Sequence, residues 1–337
     1  MQKQLNTPSP YRTLLKGMLG LFLGLLAVAC TPDEEVLPAD EAQEVNLDLY
    51  ALLERYNQQA SGEQERHANA AKAKKPSFST LTVALAKSGL MGTVASQQLT
   101  LFAPTDEAFA ALGLNKQNIG SVPNLREILL YHAVAGKVYA ADLSNGFVPT
   151  LNGAAVEITL GSSVMVNSAT VVLADIKARN GVLHAIDQVL LPPDMNLVEL
   201  ALSFDPEFSI LVEAVQKAGL VNVLASGGPY TVFAPTNAAF ADLLAELGAS
   251  SLDDIPLPVL TKVLLYHVVE GRVYSSDLSS GDVPTLADQT FRVNTETLTI
   301  TDANGREAGL VAPLLDVQAT NGVVHVLDKV ILPDLSM

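Results

Sequence analysis

The 337-residue chain has one cysteine and no tryptophan. A lone thiol makes no internal disulfide, so stability has to come from a hydrophobic core. Apolar residues make up 49% of the chain, enough for two domains of ordinary size, although only 5% are aromatic. Basic residues are scarce too: 20 Lys and Arg stand against 36 Asp and Glu, a net charge of −16. That balance disfavours nucleic acid, whose phosphates select basic faces. It keeps the chain soluble and names no ligand. HExxH, CxxC and EF-hand patterns are missing, as are a GxSxG elbow and the glycine-rich nucleotide loops. No metal, cofactor or catalytic residue is expected, and the chain reads as not an enzyme. Long apolar runs are reduced to one, residues 17–29. At ~1.5 Å per residue that run is too short for a ~30 Å hydrocarbon core.

What precedes and follows the run gives it a meaning. Lys3, Arg12 and Lys16 form a basic front, and no acid appears before Asp33. A basic front, a short apolar core and a small-residue exit mark residues 1–29 as an export signal. Cys30 stands directly behind it, and Leu26-Ala27-Val28-Ala29-Cys30 resembles the bacterial lipobox, with Ala27 where Leu is commonest. The resemblance implies cleavage before Cys30 and a membrane anchor through lipid on its sulfur. An ordinary secretory signal with an incidental cysteine is the competing reading, and a stray exported thiol is an oxidation liability. Residues 30–45 read as an acidic linker. Its Thr31-Pro32-Asp33-Glu34-Glu35 resembles the acidic signal that sends bacterial lipoproteins to the outer face of the outer membrane; a solvated tether fits the same residues. Without the signal's three cations, 17 basic residues oppose 36 acidic ones, a net of −19.

The rest of the chain is a repeat. Leu101-Phe-Ala-Pro-Thr-Asp-Glu-Ala-Phe109 recurs as Val232-Phe-Ala-Pro-Thr-Asn-Ala-Ala-Phe240. Leu129-Leu-Tyr-His132 recurs as Leu264-Leu-Tyr-His267, and Asn180-Gly-Val-Leu-His184 as Asn321-Gly-Val-Val-His325. The offset grows from 131 to 135 to 141 through small insertions. A period this long is a duplicated domain rather than a solenoid.

Within each unit a β-prone run ends at Pro104 or Pro235, and Thr105 or Thr236 then caps a helix. A second helix is expected over 124–132 and 258–267. Strands follow, at 156–160, 163–166, 291–293 and 298–300. Asn180-Gly181 and Asn321-Gly322 have the composition of type I′ hairpins with positive φ at both residues. The strands after them are expected to run over 182–191 and 323–332. Early helices and a late antiparallel sheet make the class α+β.

The FAPT(D/N)xAF block, the Tyr-His pair and the NGVxH block resemble the hallmarks of the fasciclin (FAS1) domain, in order, in both copies. The resemblance implies two tandem domains, each a β-wedge or sandwich with helices packed on it. Domain 1 is expected over 46–193, with its core from 76, and domain 2 over 194–335. Helices at 196–202 and 206–220 match the family's opening, as does 76–90 in the first copy; 46–56 stands in for the remaining one.

The four histidines of the repeats invite a metal, but His184 and Asp187 are three apart on an expected strand and point to opposite faces. In animal members the family implicates the Tyr-His motif and a short Asp-Ile motif in integrin adhesion. Those residues here are Tyr131, His132, Asp175 and Ile176, then Tyr266, His267, Asp316 and Val317. The competing reading is that Tyr-His closes a helix on the sheet as core. The function implied is non-enzymatic surface adhesion or matrix binding, with a surface or matrix protein or a polysaccharide as partner. Carriage of a small apolar ligand, as in family members that bind carotenoids, is the alternative, with a structural envelope protein as a third.

Overall fold

A computed structural model describes residues 46–66 and 75–336. The export signal, the acidic linker and Cys30 lie outside the described residues.

The first domain opens with three helices, α1 (Leu49–Arg66), α2 (Ser79–Lys87) and α3 (Met91–Ser96). Strand β1 (Leu99–Pro104) leads into α4 (Asp106–Ala111), whose N-cap is the Thr105 side chain accepting from Ala108 N. Helix α5 (Leu125–Tyr131) places Leu125 and Leu129 on one buried face. Then come β2 (Ala133–Ala135), β3 (Gly146–Pro149), β4 (Ala155–Leu160), β5 (Val164–Val166), β6 (Ala169–Ala178) and β7 (Gly181–Ile186). They form one seven-stranded sheet in the order β2-β1-β7-β6-β5-β4-β3. The pairing of β1 with β7 is parallel, which an all-antiparallel reading of the strands does not anticipate.

Side-chain alternation on that pair organises the core. Leu99, Leu101, Ala103, Leu183 and Ala185 meet the helices, while Phe102 and Ile186 face the β3–β5 hairpins. Both strands are buried on both faces, and their two polar side chains, Thr100 and His184, are sealed in with hydrogen-bond partners.

The second domain repeats this plan with α6 (Leu197–Ser203), α7 (Ser209–Lys217), α8 (Val221–Ser226), β8 (Tyr230–Pro235), α9 (Asn237–Leu247) and α10 (Leu257–Tyr266). Strands β9 (Val268–Glu270), β10 (Gly281–Pro284), β11 (Thr290–Asn294), β12 (Thr299–Thr301), β13 (Glu307–Gly309), β14 (Val317–Ala319) and β15 (Gly322–Leu327) follow. Here the sheet is two sheets, β14-β15-β8-β9 and β10-β11-β12-β13. The long strand β6 has its counterpart split into β13 and β14 by a short turn over Ala312-Pro313-Leu314, where proline brings no N–H to a ladder.

Further expectations need correcting. The 206–220 segment ends as a helix at Lys217, because Gly219 takes a φ of +69° and α8 starts anew. The strands expected to run to 191 and 332 stop at Ile186 and Leu327; beyond them the chain peels off the ladder and is held by side chains.

Asn180-Gly181 and Asn321-Gly322 are not type I′ turns, because none of the four residues has a positive φ. Gly181 already pairs with Ala178 in the ladder. It is glycine because a Cβ there would collide with Leu99 O and Leu49; at Gly322 the obstacles are Tyr230 O and Leu197. Asn180 is a latch: Oδ1 accepts from Leu49 N at 2.9 Å, and Nδ2 donates to Val94 O and Gln97 O. Asn321 does the same for Leu197 N, Leu224 O and Gly227 O. One asparagine per domain thus ties the helical layer to the sheet.

Candidate functional site

The repeated Tyr-His pairs end α5 and α10, and both are internal. Tyr131 donates its hydroxyl proton to Ala155 O at 2.8 Å and accepts from Asn167 Nδ2 at 3.2 Å. Tyr266 donates to Thr290 O at 2.7 Å and accepts from Ala303 N at 3.1 Å. Burial pushes the Tyr266 hydroxyl up to about 12.

His132 is buried with both nitrogens engaged: Leu190 N donates to Nε2 at 2.9 Å. That leaves the proton on Nδ1, which donates to Ile128 O at 2.7 Å. His267 repeats the arrangement with Ile331 N and Val263 O. These bonds hold the segments that leave the ladder after β7 and β15. Burial lowers both imidazoles to about 4, so they are neutral at physiological pH. Neither pair presents a side chain to solvent.

Asp175 and Ile176 lie at the irregularity in β6, where Asp175 takes a φ of 59°. Ile176 is buried opposite Leu183. Half-buried Asp175 accepts from Ala140 N at 2.8 Å, and its own N–H points at His184 Nδ1 at 3.3 Å. Asp316 has a φ of 58°, accepts from Ser275 N and from the Ser275 hydroxyl, and gives its N–H to His325 Nδ1. Half-buried Val317 pairs with Val324. His184 and His325 complete the motif by donating from Nε2 to Val138 O and Val273 O. Burial lowers both. The structure therefore joins each Asp to a histidine nine residues on, a spacing visible in both copies of the sequence. It does not bring the Tyr-His and Asp-Ile/Val residues of a domain into one exposed patch. Among the described residues no group of three His, Cys, Asp or Glu is placed to hold a metal ion.

A contact missed in the sequence joins the two domains. Gln318 of β14 pairs its amide with Ala155 of β4. The Tyr274 ring stacks on Phe147 at 4.4 Å with an interplanar angle of 10°. The Tyr274 hydroxyl donates to Gln318 Oε1 and accepts from Ala155 N. Val323 shares the buried cluster with Ala155 and Tyr274. No repeat announces this contact, because Phe147 and Gln318 are aligned with Asp282 and Lys177 in the other copy.

The model of the Fasciclin domain matches this chain twice, over residues 76–192 and 206–333. Protein sll1483 of Synechocystis sp. is 40% identical over 156 residues, which cover 44% of this chain and 80% of that protein. Transforming growth factor-beta-induced protein ig-h3 of Sus scrofa is 31% identical over 245 residues, covering 70% of this chain and 35% of its own length. A solved FAS1 domain pair from the insect cell adhesion molecule Fasciclin I shares 21% identity with a TM-score of 0.37, over 76% of this chain and 96% of that one. The two family matches take in most of the sequence, and each falls on one copy of the same α+β fold with its buried Tyr-His clamp: the chain belongs to the fasciclin-domain family and carries two of its domains in tandem.

Proposed function

We propose that this chain is a non-enzymatic adhesion or matrix-binding protein, held by lipid on Cys30 to the outer membrane and displayed at the cell surface. The observation that carries the reading is the direct contact of Gln318 and Tyr274 with the first domain. It sets two related surfaces at a fixed spacing. Two weak sites so held bind an extended partner with avidity, since the second contact forms at high effective concentration. An extended surface or matrix protein, or a polysaccharide, is such a partner. The net negative charge suits an exported chain in an aqueous exterior and disfavours nucleic acid.

The Tyr-His residues support the core reading over the contact reading, because an adhesive residue has to reach its partner and these are sealed in. Of the Asp-Ile/Val residues, half-buried Asp175, Asp316 and Val317 are the ones with access to solvent, and Ile176 is sealed in. Protease treatment of intact cells tests the surface claim. An antigen cut on intact cells, and released from the membrane by Cys30→Ser, is the expected result. An antigen cut only after outer-membrane lysis overturns it. A matrix and glycan array probed with the exported chain tests adhesion, and a blank array across proteins and polysaccharides overturns that half.

A further inference from the structure

We propose that the second domain takes the end of a single alkyl chain into an apolar cavity between its opening helices and its sheet. The first domain has filled the equivalent space with its own side chains.

The two copies can be aligned here atom for atom. Leu49 N and Leu197 N each donate to the latch asparagine, so Leu49 corresponds to Leu197. Along the helix, Leu52, Leu53 and Tyr56 then correspond to Leu200, Ala201 and Phe204. In domain 1 all three are buried, Leu53 completely, and belong to the core. In domain 2 all three are half-buried. Helix α6 has 7 residues where α1 has 18, and Ala201 stands where domain 1 buries Leu53 completely. A cavity of about 190 Å³ remains, bounded by Ala201, Val212, Leu224 and Val324 among others.

Its chemistry limits the occupant. The wall is apolar, and the one imidazole on it, His267, has both nitrogens committed to main-chain partners. A polar ligand would lose its hydration and gain nothing there. A cavity of about 150 Å³ with such a wall stays dry and accepts small hydrocarbons. This one is open on one side, because Leu202, 51% exposed, and the exposed Gln216 both border it. One open end suits a chain whose polar head stays in water. The source is either the lipid attached to this chain or a separate amphiphile; the chemistry is the same.

The test uses the full chain carrying Cys30→Ser, with 11-(dansylamino)undecanoic acid as the probe. A saturable rise in dansyl fluorescence, displaced by laurate, is expected. Ala201→Leu restores the leucine of domain 1 and should weaken that binding at least about tenfold while leaving the thermal transition unchanged or higher. Val212→Phe, entering from α7, should weaken it likewise, so the outcome does not hang on one variant. Unaltered probe binding in both folded variants overturns the proposal, as does the absence of any saturable signal in the parent. Comparison with the lipidated chain identifies the source: weaker probe binding there means that its own lipid fills the site, and equal binding means a separate amphiphile. Adhesion plays no part in this inference.

Discussion

The side chain of Gln318 pairs with the main chain of Ala155 as a neighbouring strand would: Nε2 donates to Ala155 O at 2.8 Å and Oε1 accepts from Ala155 N at 3.0 Å. A residue of the second domain thereby joins the hydrogen bonding at the first residue of β4 in the first. The Tyr131 and Tyr274 hydroxyls remain as second partners of Ala155 O and Ala155 N, so loss of Gln318 orphans neither and removes two hydrogen bonds, about 1–3 kcal/mol together. Gln318→Ala should therefore weaken the join by about that much. Calorimetry should show one cooperative transition in the parent separating towards two in the variant. A single transition of unchanged midpoint in Gln318→Ala would show that the contact does not couple the domains.

The neutral imidazoles predict an acid-sensitive fold. His132 and His267 titrate near 4 in the folded chain and near 6.5 when unfolded, so below 6.5 the unfolded state binds more protons. Stability is full above pH 6.5 and falls as the pH drops from 6.5 towards 4, with no further loss from these groups below that. Each shift corresponds to about 3 kcal/mol over the window. Denaturant melts from pH 7 to 4 should show this decline. His267→Gln should flatten the slope while lowering stability at pH 7. An identical slope in the variant would place the acid sensitivity elsewhere.

Asn180→Ala and Asn321→Ala should each destabilise their own domain, since each removes three hydrogen bonds to the helical layer. A loss of about 2–4 kcal/mol is expected from the orphaned main-chain groups. Gly181→Ala should be worse, because the backbone oxygen of Leu99 has nowhere to move. Chemical denaturation of the three variants gives the ranking directly, and a Gly181→Ala chain as stable as the parent would refute the steric account.

Asp106 offers a second pH signature of the same sign. Burial opposes its ionisation, but hydrogen bonds from Ser77, Ser79 and Thr80 hold its carboxyl below the usual range. Its contribution is present above the unfolded carboxylate value and is lost as pH falls through the folded one. Asp106→Asn copies Asn237 of the second domain, which likewise accepts from the N-terminus of α7 at Ile210 N. That change should remove the acid-limb contribution and cost less than Asp106→Ala. Equal losses for the two variants would show that the acceptor oxygens are not what matters.

The fold was legible in the sequence because its blocks are duplicated and local. Thr105 and Thr236 cap where a threonine after proline should, and the helices with leucines at a four-residue spacing lie where the period puts them. What failed were inferences from a residue pair taken without its neighbours. Asn-Gly carries hairpin composition in any context, yet here tertiary crowding selects the glycine and the helical layer uses the asparagine. Strand ends fall short of the expectation because apolar residues return after Asp187-Gln188 and Asp328-Lys329 while the ladder does not. The partners there are His132 and His267, far away in sequence. The contact between domains left no repeated signature, since Phe147, Ala155 and Gln318 differ from their counterparts Asp282, Thr290 and Lys177.

That last point carries a directional consequence. Gln318 has Lys177 as its counterpart in domain 1, and Ala155 has Thr290 in domain 2. Socket and plug each exist once, on opposite copies. Domain order is therefore fixed by the contact itself: a chain spliced with the second domain ahead of the first keeps its join only if the linker lets the same two faces meet. Two such chains have no matching socket and plug left over with which to continue into a fibre.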